Sequence, residues 1–296
     1  MIDYAAARAV ALVVQTGSFE AAARALNVSP SAVSQRVRNL EERIGAVLIE
    51  RAAPCIATEK GAWLCRHMEQ VGMLEKALLA QLPGIGGRGT GPVTLSIATN
   101  ADSLGTWFLP AVAAFTAGSD YLLNIALDDE DHTADWLRTG RVVAAVTALA
   151  RPVQGCEVKS LGVMRYIATA SPGYMQRHFP DGVSAAALAR APALTFNQKD
   201  RLQQAWAQQA FGEAVPFPTH WLASTQGFVD ASLVGLGWAL NPVQLVEEHL
   251  AAGRLVALVP ETALHRPLYW QVNRLAAGQL ADLTQAIIRT ARNALT

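Results

Sequence analysis

The stretch Phe19-Glu20-Ala21-Ala22-Ala23-Arg24-Ala25-Leu26-Asn27-Val28-Ser29-Pro30-Ser31-Ala32-Val33-Ser34-Gln35-Arg36-Val37-Arg38-Asn39-Leu40-Glu41 decides how the chain begins. Phe19, Ala22, Ala23 and Leu26 recur on one face of a helix that Ser18 can cap. Asn27-Val28-Ser29 leaves three residues for a turn. Ser29 is a good N-cap, and Pro30 suits the first helical position, where a missing N–H costs nothing. Val33, Val37, Leu40 and Ile44 then form the buried stripe of a helix that Gly45 stops. The opposite face carries Ser31, Ser34, Gln35 and Arg38, with Arg36 and Asn39 on one flank. Upstream, Ala7, Val10, Ala11 and Val14 predict a first helix over Asp3 to Gln15, ended by Gly17. Two helices joined by so short a turn, the second bearing hydroxyls, an amide and guanidinium groups, are what helix-turn-helix DNA readers use. Hydroxyls and a helix N-terminus suit phosphates, while Gln and Arg bond base edges. A small helical bundle with a wet polar face has the same shape.

These residues resemble the amino-terminal signature of LysR-type transcriptional regulators. The resemblance implies a winged helix-turn-helix, a long linker helix that dimerises and a two-lobed effector domain. It continues through Val47-Leu48-Ile49 as a first wing strand, Arg51, a hairpin containing Pro54, and Thr58-Glu59-Lys60-Gly61 opening the linker helix. The wing tip, Ala52-Ala53-Pro54-Cys55-Ile56-Ala57, departs from the family pattern: it is a residue short and has no basic side chain, which shifts phosphate contact onto Arg51. The candidates for contact with a double-stranded operator are therefore Ser29, Ser31, Ser34, Gln35, Arg36, Arg38 and Arg51. In the linker, Leu64, Val71 and Leu78 recur every seven residues, with Leu74 between and Met68 and Leu82 beside them. That pattern fits a homodimer seam, with a tetramer open beyond it, or a core helix of one chain. Gly84-Ile85-Gly86-Gly87-Arg88-Gly89 matches GxGxxG but follows a helix and precedes a strand, so it reads as a hinge.

From Val93 on, short apolar strands alternate with helical patterns: strands at Val93 to Thr99, Leu122 to Leu127, Val142 to Thr147, Tyr166 to Ala170, Ala193 to Phe196 and Trp238 to Leu240. This is α/β with mainly parallel sheets in two lobes, whose ligands sit at the carboxyl ends of strands. The resemblance implies a periplasmic-binding-protein-like effector domain, with the chain crossing near Ser171-Pro172 and back near Arg266-Pro267. The expected boundaries are 1–57 for the DNA-binding domain, 58–90 for linker and hinge, and 91–296 for the effector domain. Its lobes are expected at about 91–170 with 267–296, and about 171–266.

Asn100-Ala101-Asp102-Ser103-Leu104-Gly105-Thr106-Trp107-Phe108, Asp128-Asp129-Glu130-Asp131-His132-Thr133, Met164-Arg165-Tyr166 and Gly235-Leu236-Gly237-Trp238 are similar to segments of the lysine/arginine exporter regulators within that family. The similarity implies a basic amino acid, lysine or arginine, as effector and an amino-acid exporter gene as target. Such a ligand needs donors for its α-carboxylate and anions for its cations. Ser103, Ser224 and Thr225 suit the first need, and Asp102, Asp129 and Glu130 the second. Asn100 belongs to the same segment as Asp102. Trp107 and Trp238 fit a pocket wall or the core, and His132 is sensory or structural. Acids before a helix also serve simply to favour its dipole.

The 24 basic and 24 acidic residues cancel, and residues 1–57 hold six basic against five acidic side chains. Affinity for DNA is then expected to rest on a few placed groups rather than on a basic field. The hydrophobic fraction of 51% owes much to 54 alanines, and no apolar run reaches the length of a membrane span. The start lacks a basic n-region, so a cytoplasmic protein is expected. Cys55, Cys65 and Cys156 have no CxxC spacing, giving neither a disulfide frame nor a zinc site. No HExxH, GxSxG or P-loop points to an enzyme, and no cofactor is implied. Two alternatives share these features: an amino-acid-binding protein without regulatory DNA binding, and a regulator of the same fold answering to another metabolite.

Overall fold

The structure, a computed structural model, describes residues 2–82, 93–128 and 132–296. Helices α1 (Tyr4–Thr16), α2 (Phe19–Leu26) and α3 (Pro30–Ile44) form the first unit. Each starts on a side-chain cap: Asp3, Ser18 and Ser29 accept from the N–H of Ala6, Ala21 and Ala32. Each ends on a left-handed residue, Gly17, Asn27 or Gly45. Val10, Val13, Ala22, Ala23, Val33, Val37 and Leu40 fill the core between them. Ile44, expected in that stripe, is 45% exposed, because it is the last helical residue and lies beyond the reach of α1 and α2.

The wing is a two-stranded antiparallel ribbon of β1 (Ile49–Glu50) and β2 (Ile56–Ala57). The first strand thus starts two residues later than expected, with Val47 exposed and Leu48 and Ile49 buried. Glu41 fixes it by accepting from the N–H groups of Leu48 and Ile49 at 2.8 and 3.3 Å. The hairpin is tied to the α1–α2 corner, where Cys55 N–H donates to Gly17 O at 2.8 Å. Gly17 has φ 74°, and a Cβ there would lie 2.9 Å from Pro54 Cβ, so only glycine allows this approach.

The linker helix α4 (Glu59–Gln81) is capped by Thr58, which accepts from Gly61 N–H and donates to Val47 O at 2.8 Å. Gly61 lies where a Cβ would meet Leu48 O at 1.9 Å. The expected heptad does not form one stripe. Leu64 turns into the helix-turn-helix core and Met73 into the effector core, whereas Leu74, Leu78 and Leu82 stay exposed. The glycine-rich segment read as a hinge lies outside the described residues.

The effector domain is built on β3 (Thr94–Thr99), β4 (Leu122–Leu127), β5 (Ala144–Thr147), β6 (Cys156–Ala170), β7 (Ala193–Thr195), β8 (Thr219–Trp221), β9 (Ala239–Pro242), β10 (Val256–Ala257) and β11 (Leu264–Asn273). One sheet runs β10-β6-β11-β5-β3-β4, with β9 also on β6. Among the described residues, parallel pairing links β4-β3-β5 and β7-β8, with one parallel bridge from Ala193 to Trp238, whereas β6, β9, β10 and β11 pair antiparallel, so the main sheet is mixed rather than mainly parallel. The difference lies in β6 and β11, which run antiparallel side by side. Fifteen residues of β6 span about 50 Å at the rise of a strand, enough to pass through both lobes. Its first ten residues include Glu157, Lys159 and Arg165, whose charges mask the strand in the sequence. The C-terminal helix Ala281–Ala294, also unmarked in the sequence reading, packs Leu283, Ala286 and Ile287 into the main core with Trp270 and Phe108.

Candidate nucleic-acid interface and effector cleft

On α3, Ser29, Ser31, Gln35, Arg38 and Asn39 are exposed together, with Ser34 half-buried beside them. Ser29 Oγ and Ser31 Oγ are 2.9 Å apart at the helix start, and Gln35 Nε2 donates to Asn39 Oδ1 at 2.6 Å one turn on. The face therefore offers a hydroxyl pair near the N-terminus, then an amide pair, then a guanidinium. Arg36 does not join it. At about 100° per residue it sits some 140° round from Ser31, half-buried, where it lines a groove of about 1730 Å³ between the first unit, the linker and the effector sheet. Arg51, exposed at the base of the wing, is steered by Phe19, its guanidinium carbon 5.0 Å from the ring centroid.

The second candidate site lies between the lobes, at the carboxyl ends of β3 and β4. Asn100, Ala101, Asp102 and Asp128 line it from one side, and Phe196, Asp200, Leu202, Thr225, Phe228 and Leu240 from the other. Asn100 caps the helix after β3, accepting from Ser103 N–H at 3.2 Å. That helical run, Ala101–Ser103, Leu104–Phe108 and Leu109–Thr116, is wound as a π-helix in its middle part. Asp102 joins the lobes: it accepts from Tyr166 Oη at 2.8 Å and from Thr225 Oγ1 at 2.6 Å. Asp128 accepts from Trp136 Nε1 at 2.9 Å, and Lys199 Nζ stands 3.9 Å from its other oxygen. Asp200, almost fully buried, accepts from the N–H groups of Phe196 and Leu202 at 3.0 and 2.9 Å.

The sequence reading and this cleft overlap in part. Asn100, Asp102 and Thr225 are on its wall. Ser224 is exposed and spent as the cap of the helix Thr225–Leu233, accepting from Gly227 N–H. Ser103 and Trp107 are buried beneath the wall, Trp107 edge-on to Phe108. Trp238 packs between Trp206 and Phe217 and donates to Ala191 O. Asp129 and Glu130 lie outside the described residues. Asp128, Tyr166, Lys199 and Asp200 were missed as site residues; Asp128 and Tyr166 carried a signal, standing inside segments already singled out. Among the described residues no group of His, Cys, Asp and Glu could hold a metal ion, and no helix is long and apolar enough to cross a membrane.

Residues 5–62 match the family described as bacterial regulatory helix-turn-helix protein, lysR family, and residues 89–295 match the LysR substrate binding domain. The HTH-type transcriptional regulator LysG of Mycobacterium bovis is 43% identical over 279 residues, covering 94% of this chain and 90% of the relative. The crystal structure of ArgP from Mycobacterium tuberculosis superposes with a TM-score of 0.78 at 40% identity, covering 100% of this chain and 99% of that one. Full-length LysG from Corynebacterium glutamicum with bound effector arginine gives a TM-score of 0.68 at 38% identity, covering 99% of both chains. The chain belongs to the LysR family of bacterial helix-turn-helix regulators.

Proposed function

We propose that this chain is a homodimeric, sequence-specific DNA-binding transcriptional regulator of the cytoplasm, without catalytic activity, that responds to lysine or arginine and controls an amino-acid exporter gene. The observation that carries the effector assignment is the carboxylate lining of the interlobe cleft by Asp102, Asp128 and Asp200. A distal ammonium or guanidinium group needs such acceptors. Phe196, Leu202, Phe228 and Leu240 supply the apolar surface for the methylene stem between the ligand's two ends. The arginine bound to the Corynebacterium glutamicum relative supports the same class of ligand.

On this reading α3 enters the major groove, with Ser29, Ser31 and Ser34 toward phosphates and Gln35 and Arg38 toward base edges. Effector binding changes the separation of the lobes, and it alters DNA affinity only by favouring one arrangement of the dimer over another. Thermal shift across the twenty amino acids tests the effector: arginine or lysine raises the melting temperature and the neutral amino acids do not. A gel shift on promoter-proximal DNA of the adjacent divergent gene tests the regulator. No retardation at low salt, with or without arginine or lysine, would leave an amino-acid-binding protein in its place.

A further inference from the structure

We propose that Asp200, on the cleft wall it shares with Phe196 and Phe228, is the seat of the effector's distal cation and so a specificity-determining residue of the interlobe cleft. This rests on the basic-amino-acid reading above and says which carboxylate takes which end of the ligand. Three observations carry it. First, Asp200 is a buried acid, 3% exposed, without a countercharge. Both of its oxygens accept, one from Phe196 N–H at 3.0 Å and the other from Leu202 N–H at 2.9 Å. Among the described residues no cation pairs with it, and the ammonium of the adjacent Lys199 stands by Asp128 instead. Two neutral donors fill about half of the lone-pair sites of a carboxylate. The start of the helix Leu202–Phe211 adds about half a unit of positive charge at most. Second, the other two acids of the cleft already take side-chain donors: Asp102 from Tyr166 and Thr225, and Asp128 from Trp136. Third, the walls differ in kind. Phe196, Leu202, Phe228 and Leu240 stand on the same side as Asp200, whereas Asn100, Asp102 and Asp128 make the opposite side polar.

The hollow between the walls measures about 30 Å³, room for about one water, where small-molecule pockets run to about 300 Å³ or more. An amino acid therefore lodges only where the walls part, and it is then held by both. Its α-ammonium and α-carboxylate, compact and strongly hydrated, belong at the polar wall. Its methylene stem belongs on the apolar one, which leads to Asp200. A neutral side chain arriving there takes water from the carboxylate and returns no charge, so its binding bears the cost. A distal ammonium or guanidinium supplies the missing countercharge. Guanidinium is planar, weakly hydrated and able both to lie on a ring and to donate two N–H groups to one carboxylate, which places arginine ahead of lysine.

Calorimetry on the full-length protein tests this with arginine, lysine and citrulline, the last being nearly isosteric with arginine but neutral. In Asp200→Asn, arginine and lysine bind about ten- to a hundredfold more weakly, the worth of a charge-assisted hydrogen bond. Citrulline changes little, so the ratio of arginine to citrulline affinity collapses. Asp200→Glu restores the charge and keeps arginine ahead of citrulline. If Asp200 only staples the loop 196–202, Asp200→Asn weakens all three ligands alike. That result, or unchanged arginine binding, overturns the assignment and leaves the basic-amino-acid reading in place. Thermal melts check that the variants fold. Should Asp200→Asn not fold, Phe228→Leu carries the test: loss of the ring narrows the arginine to citrulline ratio about twofold or more, and an unchanged ratio overturns the assignment. A wild-type protein that binds neither basic amino acid overturns the reading of the cleft and this assignment with it.

Discussion

Gln35 Nε2 donates to Asn39 Oδ1 one turn away on the exposed face of α3, so the two amides are oriented on each other before any partner arrives. A bidentate amide or guanidinium contact to a base contributes about 1–3 kcal/mol of discrimination. Gln35→Ala and Arg38→Ala are accordingly expected to weaken binding to the operator more than to unrelated DNA, with footprinting on the two sequences as the measure. Equal loss on both would mean that these side chains meet phosphates only. This face was legible in the sequence because contacts within a helix repeat every three or four residues. The effector cleft was less so. Asp102 is joined to Tyr166 and Thr225, residues 64 and 123 positions away, and no local pattern announces such pairs. Trp107 and Trp238 stay open in the sequence for the complementary reason: an aromatic side chain reads the same in a pocket wall and in a core, and here both are core.

At the scale of elements, α4 couples the two ends of the molecule through a carboxyl group. Glu69 Oε1 accepts from Ser96 N–H on β3 at 2.6 Å, beside Gln15 Nε2 donating to Thr94 Oγ1 and Lys76 paired with Asp120. Burial pushes the Glu69 carboxyl up to about 7, against the opposing pull of the Ser96 N–H and of Arg66. Cys65 also borders this carboxyl, and Arg141 stands close to Arg66. The native state thus holds a proton that the free or unfolded helix gives up near pH 4.5, so the native state binds more protons between the two values. Its contribution to docking is complete below about pH 4.5 and is lost as pH rises through 7. Glu69→Gln keeps an acceptor for Ser96 without the titration. Thermal melts are expected to show the variant gaining on the wild type from pH 5.5 to pH 8; a constant difference would show that Glu69 titrates alike in both states. The linker helix itself was plain from its Thr58 cap and apolar spacing, but the division of its apolar residues between two cores was not. A heptad in a sequence does not say which body each residue meets.

For the molecule as a whole, the exposed residues of α4 and the absence of net charge bear on one another. Leu74 and Leu78 are each 56% exposed, a turn apart in the second half of a helix that sends Leu64 and Met73 into the two cores. Paired across a homodimer they would be buried, and two recognition helices would address two half-sites. Replacing both, Leu74→Glu with Leu78→Glu, is expected to give a monomer in sedimentation. It should cost about 10²-fold or more in operator affinity through lost avidity, with arginine binding retained. The near-neutral charge of the first unit bears on how that dimer holds DNA. With six basic and five acidic side chains in residues 1–57, nonspecific attraction is slight, and the salt dependence should count only the guanidinium groups set against phosphates. Arg36, Arg38 and Arg51 in two copies bound the slope of log K against log salt at about −5, and the half-buried setting of Arg36 and the turning of Arg38 toward base edges argue for a shallower value. Arg51→Ala removes two of these contacts per dimer and is expected to reduce the slope by about 2. A fall in affinity at unchanged slope would instead assign Arg51 to the packing of the wing on Phe19, since only a phosphate contact releases counterions.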